Sequence, residues 1–380
     1  MTAQSERPYQ MCIKTVMDTT DPSITFDEQG ICNYWYEYFA NAKKELSKED
    51  GLAYHESILK KIREKGKGKK YDCVIGLSGG ADSSYLAYMA REWGLNPLLV
   101  HFDNGFNTAT AVSNIEQIVK QLGFDLHTFV MDWEEFKDIQ RSYFYASVLD
   151  LEIPNDHMIF ASLYKVANDF DIKYIILGFN NSTEAILPEK WRYLGKLDLV
   201  NLKTIQKRFG KKPIKHMPKL GIWQFTYYMV LKGIKQYSAL NFIGYDKEKA
   251  KEILTKELGW KDYGGKHHES VFTRFYQGYI LPKKFNIDKR KAHLSTLICS
   301  GQMTREEALE ELSKPTYDPQ LQEEDKVYIA KKLGFSTEEF ERLLTLPNVD
   351  HEVYGTDKWQ TDLVFGINKF VKRIHKFNSV

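Results

Sequence analysis

Cys73-Val74-Ile75-Gly76-Leu77-Ser78-Gly79-Gly80-Ala81-Asp82-Ser83-Ser84-Tyr85-Leu86-Ala87-Tyr88-Met89-Ala90-Arg91 is the stretch on which the fold turns. Its apolar opening reads as a buried strand, and the run from Tyr85 to Arg91 reads as a helix. A Ser/Gly loop between strand and helix builds an anion site. Glycines let the backbone approach a ligand, and free N–H groups at a helix start point at negative charge. The hydroxyls of Ser78, Ser83 and Ser84 add donors, and Asp82 is placed to hold a magnesium ion beside phosphates. The bland alternative is an ordinary turn of small residues. The complete hexapeptide between a strand and a helix favours the phosphate loop.

The same alternation continues on both sides. Strands are predicted at 72–77, 97–102, 126–131 and 173–178, and helices at 82–93, 108–122, 133–147 and 157–169. Short apolar strands between amphipathic helices imply an α/β fold with a parallel sheet covered on both faces. Ligands of such sheets sit beyond the carboxyl ends of the strands. That rule gathers three loops around one crevice: the Ser78 loop, His101-Phe102-Asp103-Asn104-Gly105, and Gly178-Phe179-Asn180-Asn181-Ser182-Thr183-Glu184. Asp103 is a candidate for metal, ribose or a substrate hydroxyl, against a plain Asp-Asn-Gly turn. Glu184 is a second candidate magnesium ligand. Gly178, Asn180 and Thr183 offer close approach and polar groups, or simply a helix cap.

Upstream, the first forty residues read as turns, followed by helices at about 35–46 and 47–64 and a basic linker, Lys65-Gly66-Lys67-Gly68-Lys69-Lys70. Downstream of Pro188 the alternation stops. Residues 191–220 read as loop-rich and basic. Helices are then predicted at 221–236, 246–258, 269–280, 289–300, 304–312, 323–333, 336–345 and 358–376. The division expected is 1–70 for a knuckle-like segment with helices, 71–188 for the nucleotide-binding sheet, and 189–380 for a helical substrate-binding or interface region.

Composition bounds these readings. A chain of 380 residues with 43% hydrophobic content builds a real core, and a net charge of +2 does not call for a polyanionic partner, making nucleic acid an unlikely one. The opening Met1–Pro8 carries no apolar signal run, and no apolar stretch is long enough to cross a bilayer. The expectation is a cytoplasmic protein without a membrane partner. Four scattered cysteines do not form a disulfide framework. Cations and aromatics interleave from Gly265 to Ser295, with Arg274, Lys283, Lys284, Lys289 and Arg290 matching phosphate or carboxylate and Phe or Tyr offering stacking surfaces. A solvated helix face explains them equally well. His268 and Glu269 are candidate proton-handling groups.

The Ser78-Gly79-Gly80-Ala81-Asp82-Ser83 spacing resembles the pyrophosphate loop of the PP-loop ATP pyrophosphatases, and it lacks the lysine of a Walker loop. The resemblance implies a Rossmann-like, adenine nucleotide alpha-hydrolase-like sheet, ATP and Mg2+ as cofactors, and Phe102 at a strand tip facing the adenosine. A closer resemblance rests on three segments in order: Val16–Asn33, the Ser78 loop, and His267–Leu312 with its HHESVFTRFYQGYILPKKFNIDKRKAHLS run. Together they look like the N-acetyl sugar amidotransferase family. That likeness implies ATP-dependent conversion of an acetamido group to an acetamidino group on a nucleotide-linked sugar, in bacterial O-antigen (lipopolysaccharide) or flagellin nonulosonic acid biosynthesis. It also implies ammonia from a separate class I glutaminase subunit. The family's N-terminal CxxC pairs are incomplete here: Cys12 and Cys32 are followed by Thr15 and Trp35 where second cysteines would stand. Two thiolates do not close a zinc site, so a degenerate knuckle packed around Trp35 is expected, with zinc completed by a histidine or partner chain as the alternative. The rival functions are a PP-loop tRNA-modifying enzyme (thiolation or lysine attachment) and a non-catalytic nucleotide-binding scaffold.

Overall fold

Short Val/Ile/Leu runs separated by helices form one parallel sheet in the computed structural model, which describes residues 7–42, 48–265, 268–364 and 366. Two helices, α1 (Asn33–Ala42) and α2 (Lys48–Gly66), precede it. The sheet is then laid down as β1 (Cys73–Gly76), α3 (Ala81–Glu92), β2 (Pro97–Asp103), α4 (Ala109–Leu122), β3 (Leu126–Val130), α5 (Trp133–Ala146), α6 (Ile153–Asp169) and β4 (Tyr174–Ile176). These four strands answer the four expected ones. The order across the sheet is β3-β2-β1-β4-β5, and every pairing is parallel.

Period-two alternation explains why β1 is apolar throughout. Cys73 and Ile75 face a core with α2, α3 and α4, through Leu59, Leu86 and Ile118. Val74 faces the opposite core with Leu98, Leu163 and Tyr164. The chain leaves β1 toward β2 and β3, then returns to place β4 on the other side of β1. The strand order therefore reverses at β1, and a crevice opens above its carboxyl end.

Beyond β4 two expectations change. The stretch 191–220 contains a helix, α8 (Leu199–Phe209), after the single turn α7 (Asn181–Glu184). Asp198 caps α8, its side chain accepting from the Asn201 N–H at 2.8 Å. The helix expected over 221–236 is α9 (Ile222–Thr226) widening into a π turn (Tyr227–Leu231), and it gives way to a fifth strand, β5 (Lys235–Tyr237). The Lys235 N–H donates to the Lys173 carbonyl at 2.9 Å, which extends the sheet. The helical remainder comprises α10 (Lys247–Leu258), α11 (Val271–Phe275), α12 (Leu281–Phe285), α13 (Lys289–Cys299), α14 (Arg305–Ser313), α15 (Pro319–Leu333) and α16 (Thr337–Thr345). Residues 358–364 are helical, and the rest of the helix expected to 376 lies outside the described residues, apart from Gly366. No helix among the described residues is long and apolar enough to cross a membrane.

Candidate active site

The Ser78 loop folds as a cradle. Gly79 takes a φ of 81°, and a Cβ there would stand 2.5 Å from the Ala111 carbonyl oxygen, so only glycine fits. The Ser78 N–H donates to Ser83 Oγ at 3.2 Å, and the Gly80 N–H donates to Ser78 Oγ at 3.2 Å. The Ala81 N–H donates to the Tyr263 hydroxyl at 3.2 Å. Three amides at the start of α3 are thus met by neutral hydroxyls, the kind of partner an anion replaces. Ser84 departs from the expectation. It is fully buried, because one residue along a helix turns a side chain by about 100° from Ser83 and into the core.

A cavity of about 250 Å³ opens beside the loop, above the ends of β1, β2 and β4. Ser78, Ser83, Phe102, Gly178 and Glu269 line it, with Ser270 and Thr273, so three expected loops and three C-terminal residues meet there. Asp82 lies next to the cradle, its carboxylate accepting from the Tyr245 hydroxyl. Burial, with the Asp82 charge, drives the Tyr245 pKa far up, and Glu184 acts on the same phenol in the same sense. Neither Asp82 nor Glu184 is part of the cavity lining, and both charges act on the Tyr245 phenol. Among the described residues no group of three or more His, Cys, Asp or Glu is set to hold a metal. Phosphate oxygens would have to complete any shell at Asp82 and Glu184.

Other expected residues serve the backbone instead of the cavity. Asp103 accepts from the Gly105 N–H at 2.8 Å and from Asn107 Nδ2 at 3.3 Å, which is the turn reading. Asn180 caps α7, accepting from the Thr183 N–H at 3.0 Å and from Thr183 Oγ1 at 3.1 Å, and both residues are buried. His268 packs edge-on against Tyr317, with ring centroids 5.8 Å apart. Its neighbour His267 lies outside the described residues.

The cationic run is corrected most. Arg274 forms two 2.8 Å hydrogen bonds to Asp325, which is 4% exposed. Arg290 grips Asp288 and the carbonyls of Glu311, Lys314 and Pro315. Lys284 donates to the carbonyls of Leu343, Leu344 and Leu346 at the end of α16. Burial pushes its pKa down to about 8, whereas those carbonyls favour the charged form. Lys289 lies over Tyr276, and exposed Lys283 lies 4.3 Å from the Tyr279 ring. Acidic and carbonyl partners, distant in the chain except for Asp288, have claimed Arg274, Lys284 and Arg290.

In the N-terminal segment, Cys12 Sγ accepts from the Cys32 N–H at 3.3 Å, and Thr15 Oγ1 lies 3.6 Å from Cys32 Sγ. The hydrogen bond between the two thiols holds the Cys12 pKa down to about 5 and pushes that of Cys32 up. Arg305 holds the carbonyls of Cys12 and Thr15. Two thiols with a hydroxyl and a guanidinium beside them do not fit a zinc ion.

Several residues at the site had escaped notice. Trp260 Nε1 donates to the Gly79 carbonyl at 2.9 Å, and Asn114 ties the loop to the backbone of Lys261. Tyr263, held protonated by burial and by Glu269, covers Ala81. The C-terminal region reaches the sheet through the Asn107–Ser270 bridge and the Thr108 N–H to Glu269 carbonyl bond of 2.9 Å. The only signal for them was a pair of aromatics, Trp260 and Tyr263, just ahead of the His-Glu-Ser run.

Residues 269–364, the segment that closes this cavity, match the family described as LPS biosynthesis protein WbpG-like, C-terminal domain. Residues 269–364 thus carry a WbpG-like C-terminal domain. The match supports the resemblance to the N-acetyl sugar amidotransferase family. Similar proteins include an uncharacterized protein of Methanocaldococcus jannaschii, 28% identical over 287 residues that span 71% of this chain and 84% of that one. A tRNA(Ile)-lysidine synthase of Chlamydia pneumoniae is 28% identical over 161 residues, 40% of this chain and 46% of that enzyme. Among solved structures, the NH3-dependent NAD synthetase from Campylobacter jejuni aligns at 15% identity and a TM-score of 0.29, over 80% of this chain and 99% of that one.

Proposed function

We propose that this WbpG-like protein is an ATP-dependent amidotransferase that converts an acetamido group of a nucleotide-linked sugar to an acetamidino group. The observation that carries the reading is the junction of two parts in one cavity. Ser78 and Ser83 of the phosphate cradle line it together with Glu269, Ser270 and Thr273 of the WbpG-like segment. The cradle fits the pyrophosphate of ATP, since the amides of Ser78, Gly80 and Ala81 are held only by hydroxyls.

In the reaction the acetamido oxygen attacks the α phosphorus, and the bond to the pyrophosphate oxygen breaks. Ammonia then adds to the activated carbon, and AMP leaves with the former carbonyl oxygen. The cradle amides and the Ser78 and Ser83 hydroxyls hold the departing pyrophosphate and stabilise its charge. Asp82 and Glu184 would hold a magnesium ion, which supplies charge neutralisation between phosphates. Glu269, at the cavity wall, takes a proton from the attacking ammonia. The ammonia source is a class I glutaminase partner.

The test is incubation with ATP, magnesium, ammonium and a UDP-linked diacetamido sugar. The expected result is AMP together with a sugar lighter by about one mass unit, as C=O becomes C=NH. AMP formed only when tRNA is supplied, with the sugar unchanged, would transfer the chain to the tRNA-modifying class of its Chlamydia relative.

A further inference from the structure

The cavity is lined by the cradle residues Ser78 and Ser83 and, from the seam between the sheet and the WbpG-like segment, by Asn104, Asn107, Asn155, Ser270 and Thr273. At the seam the hydrogen bonds fix which way each amide faces.

The chain of assignments starts at backbone groups that have no choice. The Leu77 carbonyl can only accept, so His101 Nδ1 carries a proton and donates to it at 2.9 Å. His101 Nε2 must then accept, and it does so from Asn107 Nδ2 at 3.1 Å. The same Nδ2 donates to Asp103 at 3.3 Å, which leaves Asn107 Oδ1 as an acceptor at the cavity. The Phe106 N–H can only donate, so the atom it meets at 2.9 Å is Asn104 Oδ1. Asn104 Nδ2 therefore donates to Asn155 Oδ1 at 2.6 Å, which leaves Asn155 Nδ2 as a donor at the cavity. Two side chains from different elements thus present one acceptor and one donor whose orientations are both locked.

We infer that Asn107 and Asn155 are the specificity-determining pair for the acetamido group. Asn107 Oδ1 accepts its N–H, and Asn155 Nδ2 donates to its carbonyl oxygen. A secondary amide offers one donor and one acceptor on two atoms set apart, whereas a hydroxyl in its place carries both on one oxygen and cannot span the pair. Adenine also has a donor beside an acceptor. The presence of Ser270 and Thr273 of the WbpG-like segment in the same lining favours the substrate over adenine as the occupant. Acceptance of the amide N–H by Asn107 Oδ1 raises the electron density on the carbonyl oxygen that attacks phosphorus, and Asn155 orients that oxygen.

This inference rests on the amidotransferase reading, and its test separates the two. Asn155→Asp keeps the oxygen that accepts from Asn104 and removes the donor aimed at the cavity. Asn107→Ala removes the acceptor. Calorimetry on the intact protein would compare a UDP-linked acetamido sugar, the matching sugar with hydroxyl in place of acetamido, and ATP. The unsubstituted protein should prefer the acetamido sugar by at least about 10-fold. Asn155→Asp should abolish that preference, leave ATP binding within about twofold, and leave the melting temperature unchanged. Weakened ATP binding with the sugar preference intact would assign the pair to adenine and overturn the inference. Unchanged preference in both variants, with amidination still observed in the unsubstituted protein, would also overturn it while leaving the amidotransferase reading in place. No preference for the acetamido sugar in the unsubstituted protein would overturn the inference, and absence of AMP from that mixture would remove the reading beneath it.

Discussion

The loop at Ser78 and the cationic run from Arg274 to Arg290 are both rich in groups that suit a phosphate, and they direct those groups oppositely. In the loop, amides and hydroxyls meet one another, the Tyr263 phenol and the Gly80 carbonyl, at 3.1–3.3 Å, so a ligand displaces weak neutral partners. In the run, Arg274 and Arg290 already hold carboxylates and Lys284 holds three carbonyls. A ligand there would have to break charge-assisted bonds inside the protein. The difference teaches that donor chemistry alone does not locate an anion site. What matters is whether the fold has already supplied the acceptor.

The sharpest way to break this contrast is Gly79→Ala. An alanine at a φ of 81°, with its Cβ 2.5 Å from the Ala111 oxygen, forces the cradle out of shape. It also disturbs the Trp260 bond to the Gly79 carbonyl. AMP formation should fall by about 10³-fold or more, the scale on which loss of preorganised donors acts. Activity near that of the unsubstituted protein would show that the loop is a structural turn and not a ligand site.

Arg274→Ala tests the other half. Removing one partner of a buried ion pair typically costs about 3–5 kcal/mol, because the remaining charge is left alone. The Arg274 and Asp325 side chains are 12% and 5% exposed, so this loss should be felt in full. Thermal unfolding should move down markedly, and an Arg274→Met/Asp325→Leu double variant should recover most of the loss. A variant of unchanged stability with a raised KM for the nucleotide sugar would return Arg274 to the ligand.

These two regions also explain what was legible in the sequence. Strand, loop and helix at Cys73–Glu92 are contiguous, and backbone geometry carries their meaning. The loop's partners are not contiguous: Tyr245, Trp260 and Tyr263 reach it across 163, 181 and 182 residues. No local pattern marks them. Asp325 is likewise 51 residues from Arg274, so the run looked free when read alone. β5 was missed for a related reason. Lys235-Gln236-Tyr237 has no apolar alternation of its own and becomes a strand only because β4 offers an edge. α8 was lost among lysines, although Asp198 at its cap and the glycine at 210 were readable signals.

Polar groups absorbed by the fold should titrate as stability and not as activity, and His157 on α6 shows this. Its Nδ1 donates to the Lys196 carbonyl and its Nε2 accepts from the Leu220 N–H, each at 3.1 Å, so the neutral ring is fully partnered. Burial holds its pKa down to about 4, and that of His351 likewise. The unfolded chain binds these protons near pH 6.5, while the folded chain excludes them until about pH 4. Stability should therefore fall as pH drops between those values, by up to about 3 kcal/mol per histidine. Denaturant unfolding measured from pH 7 to pH 4 should show that slope, shallower in His157→Gln. A flat profile would mean that the buried rings are not excluded from protonation.

The smallest effect is expected at Lys283, the member of the run that makes the contrast least absolute. It is exposed, and it rests 4.3 Å from the Tyr279 ring without a carboxylate or carbonyl partner among the described residues. Tyr279 also receives Lys326, so the ring keeps a cation if Lys283 is lost. Lys283→Met should thus change stability by at most about 1 kcal/mol, the value of an exposed cation–π contact. Its kinetic effect is the more informative one. If the run serves only the fold, KM for the nucleotide sugar stays constant and shows no altered dependence on salt. If KM rises severalfold and the rise disappears at high ionic strength, then Lys283 reaches the ligand electrostatically while its neighbours hold the helices around it. The run would in that case combine both uses, divided residue by residue according to which cations found an acceptor first.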